Sequence, residues 1–170
     1  LKQKVDNAIL DICETINTQK KYVSISSVLT AITRDFSLIK ELNDIDGLKT
    51  SYGPHSDDVG THTKKVVQSL PLFEEYNKLS PDDKDIVRLS AYFHDIGKGP
   101  KSRWKNNEMT KADNDHAVKS LSMLKRILQE EVGGLTKESI RKIVILVTYD
   151  DLVGDIVARG RDERQLLNVI

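Results

Sequence analysis

Apolar residues return in this chain every third or fourth position and rarely every second one, a spacing that suits helices and little else. Val5, Ile9, Ile12 and Ile16 trace one face of a first helix. Ser24 or Ser26 can cap a second, which carries Val28, Leu29 and Ile32 inward, and a third follows from Asp35 with Phe36, Ile39 and Leu42. Asn43-Asp44, Asp46-Gly47 and the stretch from Ser51 to Pro54 break the pattern. A helix is expected from Asp58 to Leu70, with Thr63, Val66, Val67 and Leu70 facing the core and Pro71 ending it. Ser80-Pro81-Asp82-Asp83 is a clear start for the next: a serine cap, a proline in the first turn, and acids against the positive end of the dipole. That helix runs through Ile86, Val87, Leu89, Ala91 and Phe93 to His94-Asp95 and stops at Gly97 and Gly99. Residues 98–110 read as a polar loop. Asp113 or Asp115 can cap a helix with Val118, Leu121, Leu124 and Leu128 inside, ended by Gly133-Gly134. Thr136 caps a last, very apolar helix through Ile140, Ile143, Val144 and Val147, with Asp150 and Asp151 at its far end. The expected fold class is all-α: a helical bundle over residues 49–170, preceded by a small helical cap or extension over residues 1–48.

A chain of 170 residues with 38% hydrophobic side chains can bury one core. Lysine plus arginine equals aspartate plus glutamate at 26 each, which argues against a general nucleic-acid binder and leaves room for a local basic patch. The single Cys13 excludes an internal disulfide and fits a reducing compartment, so a cytoplasmic location is expected. No apolar run approaches the ~20 residues of a membrane span, and no signal peptide is visible. The chain begins at Leu1, and its apolar pattern still runs at Leu166, Leu167, Val169 and Ile170. It therefore reads as a segment of a longer protein, with a bundle cut at its C-terminus and further domains as partners.

The run Ala91-Tyr92-Phe93-His94-Asp95-Ile96-Gly97-Lys98-Gly99 places two metal-binding side chains where a helix stops and the backbone opens to substrate. An acid at the negative end of a helix is unfavourable by roughly 0.3–1 kcal/mol, so something positive is expected beside Asp95. Three further histidines, His55, His62 and His116, and the Asp150-Asp151 pair supply the remaining candidates. Imidazole nitrogen with carboxylate oxygen suits manganese, iron, nickel, cobalt or zinc, without the thiolates of a structural zinc site. No short ligand spacing is present, so the ligands must come from separate helices meeting in the bundle. Taken singly, His62 and His116 are ordinary polar residues near helix starts, and Asp151 is a solvated turn residue.

In order and surroundings, His62 … His94-Asp95 … Asp151 resembles the HD-domain metal-dependent phosphohydrolases. The stretch from Ser51 to Thr63 is similar to the entry into the first ligand helix of that family, with Val66-Val67 on its face. His94-Asp95-Ile96-Gly97-Lys98-Gly99 resembles the doublet in the HD domains of tRNA nucleotidyltransferases and uridylyl-removing enzymes. His116, in Asp115-His116-Ala117, stands where those relatives have a further histidine, and the segment from Ile143 to Gly154 looks like the last ligand helix. The resemblance covers about residues 51 to 158. The Leu152-Val153-Gly154 tail maps the final ligand to Asp151, with Asp150 as the alternative, since one residue on a helix turns a side chain by about 100°.

The resemblance implies a phosphatase or phosphodiesterase with a divalent ion (manganese, nickel, cobalt, iron, magnesium or zinc) held by His62, His94, Asp95 and Asp151. The ion acts as a Lewis acid on a phosphoryl oxygen and lowers the pKa of water. Asp95 doubles as a general base or orients that water. His116 either protonates the leaving group and binds phosphate, or ligates a second metal. Lys98 is a catalytic candidate as an anion partner, in a glycine-flanked turn whose amides can approach phosphate; its plain alternative is a solvated lysine. Lys101, Arg103 and Lys105 with Trp104 could grip a nucleotide or a strand, or form a solvated loop. The expected substrate is a phosphorylated small molecule, a nucleotide or a nucleic-acid end. The competing reading is a metal- or nucleotide-binding regulatory module without turnover. Residues 1–48 could also form a helix-turn-helix on nucleic acid, although their balanced charge favours packing on the core.

Overall fold

A computed structural model describes residues 1–51, 57–111, 113 and 115–149. The helices form largely where the apolar spacing puts them, and their caps are hydroxyls and acids local to each start. α1 spans Lys2–Cys13 and buries Val5, Ala8 and Ile12; Ile16 lies beyond its end, half-buried against the core. α2, Ile25–Arg34, is capped by Ser24, whose Oγ accepts from the Ser27 amide at 3.1 Å. The third expected helix is shorter: Asp35 caps a 3₁₀ turn at Phe36–Leu38, and α3 covers only Lys40–Ile45. α4 is Val59–Ser69 and buries Thr63, Val66 and Val67; a 3₁₀ turn at Leu70–Leu72 follows, with Leu70 also in the core. After the short α5, Glu74–Asn77, Ser80 caps α6, Pro81–Phe93, as its Ser-Pro-Asp-Asp start requires. α7 is His116–Glu130, and α8 is Lys137–Thr148 behind a reciprocal Thr136/Ser139 capping box.

The stretch expected as a plain polar loop is more ordered. Three 3₁₀ turns, Ile96–Lys98, Lys101–Arg103 and Lys105–Asn107, lead to strand β2, Glu108–Met109, which pairs in parallel with β1, Lys49–Thr50. Val118 is 38% exposed, so the inner face of α7 is Leu121, Leu124, Ile127 and Leu128. Among the described residues the architecture is all-α apart from that two-stranded patch.

One hydrophobic cluster runs from Val5 to Val147. α6 packs against α2, α4 and α8, α7 and α8 flank α1, and α3 lies against α4 and the Ile96–Lys98 turn. An ion network ties α3 to α7: Arg126 Nε and Nη2 donate to the two Glu41 oxygens at 2.6 Å each, and Nη2 also meets Glu131 at 2.6 Å. Among the described residues no helix is long and apolar enough to cross a membrane. His55, Asp150, Asp151 and the apolar tail to Ile170 lie outside the described residues.

Candidate metal centre

Two helices deliver the cluster. Asp58 caps α4 by accepting from the Thr61 amide at 3.2 Å, and the same oxygen accepts from the Gly47 amide at 2.9 Å. That anchors the start of α4 to the end of α3 and fixes the turn carrying His62. The approach is close enough that a side chain at Gly60 would put Cβ 2.8 Å from the Asp46 Cα. On the other side, α6 ends at Phe93, so His94 is its C-cap and Asp95 begins the Ile96–Lys98 turn.

His94 and Asp95 are 2% and 3% exposed. Asp95 Oδ2 lies 3.1 Å from His94 Nε2 and 3.7 Å from His62 Nε2, and the two imidazoles meet edge to face at 5.7 Å between centroids. One donor atom from each of the three residues falls within 4.8 Å of the others. Ligands about 2.1 Å from one ion stand about 3.0 Å apart at right angles and about 4.2 Å apart when opposed, so these separations fit a shared ion.

The tautomer supports the same fit. His94 Nδ1 is 2.5 Å from the Ala91 carbonyl oxygen, which can only accept, so Nδ1 carries the proton and donates. In the neutral ring Nε2 then presents a lone pair toward the Asp95 oxygen. Two lone-pair atoms at 3.1 Å repel unless a proton or a metal cation stands between them.

Burial would push the Asp95 carboxyl up, but His94, Lys98 and His62 more than offset it and hold the group well below the usual carboxylate range. The cation expected near Asp95 is therefore present as Lys98, whose Nζ is 3.2 Å from Oδ1. With a side chain 20% exposed and paired, Lys98 is not the solvated lysine of the plain reading. The turn around it does not offer amides to a phosphate. The Gly97 amide donates to Ser120 Oγ at 2.9 Å, that of Lys98 to Asp95 O and that of Gly99 to Ile96 O.

His116 opens α7, half-buried, with Nδ1 2.9 Å from the Asp113 carbonyl, so Nε2 is the nitrogen able to take a proton or a metal. What brings α7 to the doublet is Gly97: a Cβ there would fall 2.0 Å from His116 O and 2.3 Å from Ser120 Oγ. Sequence reasoning missed Ser120, fully buried one turn after His116; the only signal was a small polar residue on an otherwise apolar face.

Within the basic loop, Lys101, Arg103 and Trp104 are engaged internally. Arg103 donates to the carbonyls of Gly97, Lys98 and Gly99 and pairs with Asp113 at 2.5 Å, while its guanidinium stacks 4.4 Å over Trp104. Trp104 Nε1 donates to Lys98 O at 2.8 Å, and Lys101 Nζ to Asp46 O at 2.9 Å. These side chains staple the turn that carries Asp95 and Lys98.

The HD domain family matches residues 55–167, about two-thirds of the chain. With that match over a helical fold and a His-His-Asp cluster, the chain belongs to the HD-domain family of metal-dependent phosphohydrolases. Comparison with curated proteins and with solved structures found no match.

Proposed function

We propose that this protein is a divalent-metal-dependent phosphohydrolase acting on a phosphomonoester or phosphodiester, with a nucleotide, a nucleic-acid end or a similar phosphorylated small molecule as substrate. The observation that carries this reading is the convergence of His62, His94 and Asp95 from separate elements onto one buried point. By its resemblance Asp151 adds the fourth ligand. Manganese, iron, cobalt, nickel, magnesium or zinc held there supplies a Lewis acid for a phosphoryl oxygen and a more acidic water.

The side chains divide the remaining work. Asp95 directs Oδ2 at the two imidazoles while Lys98 holds Oδ1, so the carboxylate is oriented before substrate arrives. Lys98 thereby acts as a positioning residue, and its charge also lies close to an incoming phosphate. His116 Nε2, with its ring fixed through Nδ1, is placed to protonate a leaving oxygen or to take a second ion. The lone half-buried Cys13 accords with a reducing, cytoplasmic setting.

Purified protein supplied with manganese, cobalt or nickel should release phosphate from a panel of nucleotides, phosphomonoesters and phosphodiesters. Activity should fall by at least about a hundredfold in His94→Ala and Asp95→Ala, whose melting transitions show that they remain folded. Equal activity in both variants and the wild type would sink the assignment. Metal binding without turnover on any substrate would instead favour a regulatory module.

A further inference from the structure

A second site faces away from the His-Asp cluster. A groove of about 580 Å³ lies between α2, α4, α5 and α6 and is lined by Arg34, Lys64 and Arg88 together with Phe36, Tyr76 and Tyr92. That volume falls within the roughly 300–1,000 Å³ of small-molecule sites. Helix geometry sets it apart from the metal centre. Arg88 and Tyr92 share one face of α6, whereas His94, two residues beyond Tyr92, points about 200° away. On α4, Lys64 stands in the same relation to His62.

The charge is one-sided. The chain as a whole carries no net charge, yet three cations and no carboxylate line this groove among the described residues. Lys64 is partly committed, with Nζ 3.6 Å from Asp46 and 4.6 Å from the centre of the Phe36 ring. Among the described residues Arg34 and Arg88 have neither a salt bridge nor a hydrogen bond. Arg34 feels the charge of the neighbouring Asp35 and Arg88 lies near Tyr76. Neither guanidinium donates a hydrogen bond among the described residues, so both suit phosphate oxygens, which they can bind in a forked geometry. The other wall is made of the edges of Phe36, Tyr76 and Tyr92, which are otherwise buried at 8%, 5% and 5% exposure. Phe36 and Tyr92 lie 6.2 Å apart between centroids, and the Tyr92 hydroxyl is fixed 3.1 Å from Thr33 Oγ1. A flat apolar ring resting on those edges and joined to several phosphates meets both walls at once.

We propose that this groove binds a nucleoside polyphosphate, as a site separate from the metal centre. α4 and α6 form its floor and also carry His62 and His94, so an occupant there bears on the two helices whose spacing sets the cluster.

The test titrates ATP into the full ¹⁵N-labelled chain in EDTA, so that no metal recruits phosphate to the His-Asp cluster. Saturable shifts are expected at the amides of Arg34, Lys64 and Arg88. Arg34→Ala and Arg88→Ala should each weaken binding by at least about tenfold, and His94→Ala should bind like the wild type. Inorganic triphosphate should bind more weakly than ATP, and adenosine more weakly still. The proposal fails if the shifts centre on residues 94–98 and 116, if ATP does not saturate, or if a single-stranded oligonucleotide displaces ATP from the groove. The wild-type shift map needs no variant, so a misfolded substitution cannot mask the result.

Discussion

Gly97 fixes the distance between the metal doublet and α7, because any side chain there would overlap the His116 carbonyl and Ser120. Gly97→Ala should therefore force α7 outward and lower stability by about 2–4 kcal/mol, read from a urea transition. Lys98 separates two roles by its own substitution. If it positions Asp95, Lys98→Met should weaken metal binding by about 10–100-fold, as losing an outer-shell partner does. If it only meets phosphate, KM should rise while metal affinity stays unchanged. Asp113 governs an acid-dependent term. Burial raises its carboxyl, but Arg103, the Asp115 amide and Lys119 more than offset this and lower it from 3.8 to about 2. Its contribution is thus fully present above about pH 4 and is lost as pH falls through about 2, a term of at most about 2 kcal/mol. Asp113→Asn should flatten that part of the pH–stability curve; an unchanged acid limb would discount the Arg103–Asp113 staple. The histidines and the doublet were legible in sequence because their chemistry is rare. The task of Gly97 was not, since a glycine after a helix reads as a stop and its close approach is made by residues some twenty positions away.

The helices were readable because their caps are local: Ser24, Asp58, Ser80 and Thr136 each bond an amide three residues on. Contacts between elements were not. Glu41 and Arg126 are 85 residues apart in sequence, and nothing local pairs them. Arg126→Ala would leave two carboxylates, with side chains 7% and 12% exposed, without their shared cation. A loss of about 2–4 kcal/mol in urea denaturation is expected; no change would mean that α3 and α7 are held by their apolar faces alone. The same limit explains the 98–110 stretch. Its basic residues and tryptophan looked available for a ligand, and only the folded backbone shows the Gly97, Lys98 and Gly99 carbonyls turned toward Arg103.

At the scale of the molecule, Val5, Ile12, Leu29, Ile32 and Leu42 belong to the same cluster as Phe93, Leu124 and Val144. Residues 1–48 thus cover apolar surface of the later helices, and a chain beginning at residue 49 should lack a cooperative urea transition. A sharp two-state transition in that shortened chain would make the first 48 residues an independent appendage. The all-α class followed from periodicity alone, whereas the small parallel strand pair did not, since two residues per strand leave no pattern to read. Elements far apart in sequence bring His62 and the His94-Asp95 pair together as the proposed metal centre. Crystals grown with manganese and measured at its absorption edge test it most directly. One strong anomalous peak should lie within about 2.3 Å of donor atoms of His62, His94 and Asp95. A metal-loaded protein whose anomalous peaks all fall elsewhere would contradict it.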